Sequence, residues 1–429
     1  YANNVFNGER INGNESSNAR LKLLWAASEE LELLWSSDYS ESDCDCNSLG
    51  VRSIMAGPLQ DLLLAEQFPV VPSDDNQDVN NDQPTTTELR SSGHALTINW
   101  TINDYQLTSI TSVRDWRNEN FVDFDNRPIN PIAVSFPAPF KTEQDQFSQE
   151  FRLASAPADW GSYVVGAYYF EQDVDTTSAI TVSLLAPIIP EGTRFGDTSV
   201  KSENMALFGE LNFNLSDNWQ LALGARYTRD TLEYDTKIEG THLLVFPTDG
   251  QATDSLTESD WSPKVALQWE ASTTAMMYLS YVSGYKGPSF DTSLVAAGRV
   301  VKPETSDAWE MGLKSTWFDS RLVLNIAVFH ADYKDFQAQA LIDDNPDDLL
   351  AGDFVLVNAG EVSTQGVEIE FISRPTDNWS FAGGLAYTDA TVEEYDEGNC
   401  SAGQKFRGEC PNGFQDLSGG RLPTTPEWK

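Results

Sequence analysis

Residues 218–228 read Asn-Trp-Gln-Leu-Ala-Leu-Gly-Ala-Arg-Tyr-Thr. Trp219, Leu221, Leu223, Ala225 and Tyr227 fall on one side of an extended chain, and Gln220, Ala222, Gly224, Arg226 and Thr228 fall on the other. A period of two with one apolar side marks a half-buried strand. Residues 205–214 carry the same pattern, with Leu207, Gly209, Leu211 and Phe213 opposite Glu210 and Asn212. The short Ser216-Asp217 turn makes the two a hairpin. Residues 380–388 set Phe381, Gly383, Leu385 and Tyr387 against small or polar partners, and Val367, Ile369 and Phe371 alternate with Glu368 and Glu370. Carboxylates at alternate positions cost little against water and a great deal inside a packed core. The stretch 322–333 is apolar on both sides for much of its length, and its two faces are not told apart by sequence.

Seven short turns punctuate such runs: Ala27–Leu31, Asn103–Gln106, Ala156–Trp160, Leu215–Trp219, Glu270–Ala275, Phe318–Arg321 and Arg374–Trp379. The other connections are long and acidic, near residues 38–93, 118–145, 173–200, 233–258, 284–306, 338–352 and 393–420. Short turns at one rim and long loops at the other are the layout of an outer-membrane barrel. The expected fold is therefore an all-β, antiparallel transmembrane β-barrel, with about 14 strands in a single barrel domain over residues 1–429. Tight turns between neighbouring strands exclude a parallel sheet. No run approaches the ~20 apolar residues of a membrane helix. Mean hydropathy is −0.38, a value a barrel tolerates because half of each strand faces a polar lumen. Many of the 12 Trp residues sit at run ends, among them Trp25, Trp160, Trp219, Trp261, Trp269, Trp309, Trp317 and Trp379. Aromatic girdles at the two membrane–water interfaces would place them there.

Sixty-six Asp and Glu residues face 27 Lys and Arg, a net charge of −39. That balance excludes nucleic acid as a partner, which needs a basic surface. Acid is concentrated in the loops, as at Asp343, Asp344, Asp347 and Asp348. It solvates them, and no loop has the ligand spacing of a calcium site. With only His94, His242 and His330 and scattered cysteines, no metal site is expected, and neither is a cofactor. Cys400 and Cys410 bracket one loop and are candidates for a disulfide in an oxidising exterior, whereas Cys44 and Cys46 are close enough in sequence to leave cross-loop pairing open. No nucleophile elbow, phosphate loop, dinucleotide fingerprint or zinc-protease motif occurs, so no enzymatic activity is expected. The start, Tyr1-Ala2-Asn3-Asn4, lacks a basic and apolar leader, and the end at Trp428-Lys429 is abrupt. Both are as expected for an internal portion of a longer exported chain.

Several short motifs resemble one family. Residues 147–155, Phe-Ser-Gln-Glu-Phe-Arg-Leu-Ala-Ser, contain Glu150 and Arg152. Residues 223–228 hold Gly224 and Tyr227, and Trp261-Ser262-Pro263-Lys264-Val265 holds Pro263. Gly284 lies in Tyr281-Val282-Ser283-Gly284-Tyr285-Lys286-Gly287-Pro288-Ser289-Phe290. Pro303 and Glu304 precede Glu310 and Gly312, while Asn358 and Gly360 precede Gly366 and Glu368. In this order and spacing, over roughly residues 90–429, they resemble the barrels of TonB-dependent outer-membrane receptors. The resemblance implies a barrel of about 22 strands in the whole protein, an N-terminal plug inside it and a TonB-binding segment ahead of the plug, none of the latter two within this chain. It further implies residence in a Gram-negative outer membrane among lipid and lipopolysaccharide. The implied partner is the TonB–ExbB–ExbD complex, and the implied activity is energised import of a scarce solute. A ferric siderophore is the expected ligand, with cobalamin, haem or an oligosaccharide as alternatives. Arg226, Arg229, Lys286 and Arg299 are the candidate basic ligand contacts, and Glu304 and Glu310 are expected on the lumen side near the rim. A passive porin-like channel and a secreted β-rich binding protein are the competing classes.

Overall fold

A computed structural model describes residues 2–46, 50–54, 64–65, 67–83, 85–121, 128, 132–135, 140–184, 192–240, 250–291, 299–342, 353–396, 398–400, 404, 407, 409–410 and 414–429. Asp343, Asp344, Asp347 and Asp348 lie outside these residues. Fourteen strands form one antiparallel meander in chain order. They are β1 (Asn14–Ala26), β2 (Leu31–Cys44), β3 (Thr86–Ile102), β4 (Tyr105–Phe121), β5 (Phe140–Ser155), β6 (Gly161–Leu184) and β7 (Gly192–Ser216). They continue as β8 (Trp219–Gly240), β9 (Gly250–Ser272), β10 (Ala275–Lys286), β11 (Glu304–Trp317), β12 (Leu322–Lys334), β13 (Glu361–Thr376) and β14 (Trp379–Glu394). Each of the seven anticipated short turns joins consecutive strands of this meander. The last residues of the chain pair with β14 in turn, Ala386 and Lys429 exchanging both backbone hydrogen bonds. No helix among the described residues is long and apolar enough to cross a membrane.

The register shows how the sheet stands in a membrane. Phe213, Leu221, Leu267, Leu279, Met311, Val328, Val367 and Tyr387 form one lateral row across eight strands, each directly opposite the next. All lie on the outer side, and the row settles the faces of 322–333: Leu324, Ile326 and Val328 point out, while Asn325, Ala327 and Phe329 point in. The row begins beside the short-turn rim and ends among aromatic residues at the opposite interface, so the strands are tilted, as closure of a barrel demands. Two belts of rings bound the apolar band. Near the short turns, Trp160 packs on Phe213 (6.0 Å between centroids), Trp219 on Trp269 (5.6 Å) and Trp379 on Phe381 (5.8 Å). Farther along, Tyr227 packs on Trp261 (5.1 Å), Tyr281 on Trp309 (4.9 Å) and Tyr387 on Trp428 (4.9 Å). Such ring pairs contribute about 0.5–1.5 kcal/mol each beyond their buried area. Trp219 and Tyr227 are eight residues apart on β8, about 26 Å along a strand at about 3.3 Å per residue. Tilt shortens that span toward the thickness of the lipid band. Between the belts the outer face exposes Leu207, Leu211, Leu223, Val265, Leu279, Met311 and Leu385. A contiguous apolar surface of this extent does not stay in water on a soluble monomer.

Beyond the outer belt the alternation keeps its period and reverses its polarity. On β8 the outward positions become Arg229, Thr231, Glu233, Asp235 and Lys237, and the inward ones Leu232, Tyr234, Thr236 and Ile238, all four buried. The strands therefore run on past the membrane as a water-soluble sheet whose mixed inner face carries one apolar cluster, Leu232 and Tyr234 with Val200, Ala252 and Leu256. This corrects the expected loops at 173–200 and 233–258: β6 to β9 occupy most of both. An apolar stripe that changes sides reads in sequence as the end of a strand. Loops 38–93, 118–145, 284–306 and 393–420 likewise give up their ends to β2, β3, β4, β5, β10, β11 and β14. Gln337–Ile342 and Asp353–Asn358 pair as a hairpin at the edges of the loop expected at 338–352. Cys400 is joined to Cys410, and Cys44 to Cys46, so the cysteines pair within their own loops.

Placing Arg at Leu223 tests the orientation. At mid-bilayer it costs about 2–4 kcal/mol, and Leu223→Arg should abolish recovery of folded protein from outer membranes. Leu232→Arg, above the outer belt, should instead assemble with loosened loops; the same loss for both would contradict the band.

Candidate functional site

The lumen side of β5 to β8 builds a pocket around Arg226 from one missing side chain. Gly166 lies directly opposite Phe208, and a Cβ at Gly166 would strike the Phe208 ring. Without it the ring lies down across β6. Arg226 is the cross-strand neighbour of Phe208 on the other flank. Its guanidinium sits 5.6 Å from the centroids of both Phe208 and Tyr168, a cation near two π faces. Its Nε donates to the Thr228 hydroxyl at 3.1 Å. Above the guanidinium opens a cavity of about 390 Å³ walled by Phe170, Leu232, Gly287 and Pro288, with Asn204 and Asp230 on its polar side. Asn204 donates to Asp230. Beside it, above the outer belt, burial and then the Asp230 charge push the Tyr285 hydroxyl well above its ordinary pKa. Tyr285 thus remains a neutral donor facing a carboxylate.

The Gly287–Pro288 wall is held by residues from four separate segments. The buried Gln337 donates its side-chain amide to the carbonyls of Gly287 and Lys302, both at 2.9 Å. Its backbone N–H donates to Glu304 at 2.8 Å, and Glu304 also faces Lys286 at 3.9 Å. Asn358 accepts from the Lys302 backbone N–H (2.9 Å) and donates to the carbonyls of Lys302 (3.0 Å) and Asp335 (2.8 Å). Gly360 turns the chain at φ +79°, where a side chain would meet the Glu394 carbonyl. Asn358, Gly360, Glu304 and the 284–288 motif thus converge on one knot. Deeper in, Phe290 stacks on Tyr234 at 5.2 Å, with Leu232 completing a small core against the inner wall.

The remaining anticipated residues are spread along both faces of the strands. Glu150 pairs with Arg152 (2.8 Å), and Glu210 pairs with Lys264 (2.8 Å) beside Gly224. Glu310 accepts from Tyr278, whose ring covers Gly312. Glu304 stands at the rim, and Glu310 follows directly on Trp309 of the outer belt. Gly366 is crowded by the Phe329 ring of the adjacent strand and by the Tyr387 carbonyl, and Glu368 is opposite Ala327. Gly284 faces Ser306, and Tyr227 belongs to the outer aromatic belt. Pro263 falls where β9 parts from β10, just past the Lys264–Val282 pair, so its missing N–H leaves no gap in that ladder. Arg229 requires correction. It lies opposite Met205 and Ser259 on the outward face, because it is an odd number of residues from Arg226 and a strand turns such positions to opposite sides. The Arg299 side chain lies outside the described residues. Sequence reading missed Tyr168, Phe208, Gly166 and Gln337, which no spacing rule connects. No group of residues suited to a metal ion occurs among the described residues.

These features define an outer-membrane β-barrel with an occupied rim and a polar lumen. A family model described as TonB dependent receptor-like, beta-barrel matches residues 53–429, and the chain belongs to that family. It is accordingly an integral protein of a Gram-negative outer membrane. Curated relatives include the metal-pseudopaline receptor CntO of Pseudomonas aeruginosa, 25% identical over 44% of this chain and 24% of that one. The ferric-pyoverdine M114 receptor PbuA of Pseudomonas sp. strain M114 is 24% identical over 63% of this chain and 32% of that one. Among solved structures, the ferric yersiniabactin uptake receptor FyuA of Yersinia pestis superposes with a TM-score of 0.72 and 16% identity, covering 100% of this chain and 57% of that one. The siderophore receptor PiuA of Acinetobacter baumannii gives 0.69 and 14%, covering 98% and 62%. The chain therefore spans a quarter to a third of these curated relatives and about three fifths of these structures.

The glycine–aromatic contacts are testable. Gly312→Ala should press on Tyr278 and lower barrel stability by about 1–3 kcal/mol, read as the temperature at which the compact form is lost on unheated gels. Adding Tyr278→Ala should relieve the clash; no relief would mean that Gly312 serves another purpose.

Proposed function

We propose that this barrel belongs to a receptor that imports a ferric chelate across the outer membrane, driven by TonB. The observation that carries the reading is the ring-lined pocket holding Arg226 and Asp230, set in the lumen at the level of the outer aromatic belt of a TonB-dependent barrel. An anionic metal chelate entering from outside would meet Arg226 there, with Lys286 above it at the rim. Relatives named for metal-pseudopaline, ferric pyoverdine and ferric yersiniabactin support that ligand class. Coupling would run through a plug and a TonB-binding segment outside residues 1–429 and, by way of TonB, ExbB and ExbD, to the inner-membrane proton gradient. Cobalamin, haem and oligosaccharides are the alternative solutes.

Cells expressing the full-length gene product should accumulate radioiron from a ferric chelate against its gradient. That accumulation should stop on deletion of TonB or addition of a protonophore. Entry that persists and follows the external concentration would instead mean a passive channel.

A further inference from the structure

The outward cations of β3 to β8, past the apolar band, are not equivalent. Arg90 pairs with Glu41 at 2.9 Å, Lys141 with Glu143 at 3.0 Å, Lys201 with Glu171 at 2.6 Å and Lys237 with Glu239 at 2.8 Å. Arg117 lies 3.5 Å from Glu143 and 3.8 Å from Asp115. Arg229 is exposed and, alone among these, faces no carboxylate within 4.0 Å among the described residues. Glu203, the outward carboxylate of the neighbouring strand, stands opposite Thr231 rather than Arg229. In a protein of net charge −39, one outward guanidinium is thus left without a counter-ion. Its height narrows what that counter-ion is. Arg229 follows Tyr227 of the outer belt by two residues on the same face of β8, about 7 Å farther out at about 3.3 Å per residue. Belt rings mark the membrane–water interface, and the headgroup layer beyond the hydrocarbon is about 5–8 Å deep. Arg229 therefore stands among lipid headgroups. Beneath it the wall is apolar and open, with Leu207 65% and Trp261 66% exposed and Met205 directly opposite Arg229. Beside it lie hydroxyls: Ser259 directly opposite on β9, then Thr231 and Thr257, whose oxygens are 3.3 Å apart. A guanidinium fork flanked by hydroxyl donors at headgroup height, over an apolar wall, matches the phosphate of a lipid. In the outer leaflet of a Gram-negative outer membrane the phosphorylated lipid is lipopolysaccharide, through its lipid A.

We propose that Arg229 binds a lipid A phosphate directly, giving the barrel one lipopolysaccharide site on the outer wall of β7 to β9 that needs no divalent cation. The other outward cations on β3 to β8 are engaged by carboxylates, so the wall around the site meets lipid phosphates only through bridging ions such as Ca²⁺. The site is independent of which solute the barrel imports.

The test uses the purified full-length receptor, washed with EDTA in detergent and weighed by native mass spectrometry. The wild type should keep one lipopolysaccharide molecule, and Arg229→Gln should keep none. Arg117→Gln, at an outward arginine that already faces Glu143 and Asp115, should keep it. Arg229→Lys, which retains the charge and loses the planar fork, should keep it on only part of the population. A second measurement needs no variant and stands in should the Arg229 substitutions fail to assemble. Delipidated wild-type receptor, titrated in EDTA, should bind bisphosphorylated lipid A at least about tenfold more tightly than dephosphorylated lipid A. Equal affinity for the two lipids, or full retention by Arg229→Gln, overturns the proposal, because Arg229 would then only anchor the strand at the interface. Loss of the lipid from the wild type on EDTA washing also overturns it, since divalent cations would then carry the contact. Equal loss in Arg117→Gln and Arg229→Gln overturns it in favour of a diffuse charge effect.

Discussion

Hydrocarbon offers a peptide group no hydrogen-bond partner, so a chain that crosses it must pair its own amides. The fourteen-strand meander answers that constraint with one continuous antiparallel ladder, from Asn14 on β1 to the final residues beside β14. Everything else hangs on its register. Side chains alternate between lipid and lumen, and a slip of one residue would send Glu210, Arg226 and Glu368 into the bilayer. The aromatic belts fix the height of each strand, and the lateral row from Phe213 to Tyr387 fixes its tilt.

The reversal of polarity above Tyr227 follows from the same logic. Alternation is a property of the backbone and continues, whereas the solvents on the two sides exchange roles. Outside becomes water, and inside becomes a cavity narrow enough for Leu232, Tyr234 and Phe290 to fill. The outer rim thereby acquires a packed core of its own. The 284–290 segment folds onto that core, and the knot at Gln337 and Asn358 ties it down. The Arg226 cavity lies where the two regimes meet, with the polar lumen below and the Leu232–Tyr234–Phe290 cluster above.

Much of this was legible in the amino-acid sequence, and the limits have physical causes. Strands with a constant apolar side, such as 218–228 and 205–214, declared both their existence and their orientation. So did the short turns, whose lengths admit only hairpins. The stretch 322–333 declared a strand but no face, because Phe329 points into the lumen to cover Gly366. The extensions of β6 to β9 were hidden by the change of phase. At the pocket, the motif located Arg226, but its companions come from β6 and β7, up to 60 residues earlier, and only register brings them together. Arg229 was set with Arg226 because sequence proximity is a poor guide to facing in a strand.

The most direct test of the account is a nitroxide scan of residues 219–239 in the assembled receptor, comparing access of oxygen, which prefers lipid, with that of a water-soluble nickel chelate. The account predicts oxygen maxima at Leu221, Leu223 and Ala225. Past Tyr227 the outward positions Arg229, Thr231 and Glu233 should become accessible to nickel, while Leu232 and Tyr234 resist both reagents. Oxygen access that continues in the same phase through Glu239, or nickel access at Leu223, would contradict it.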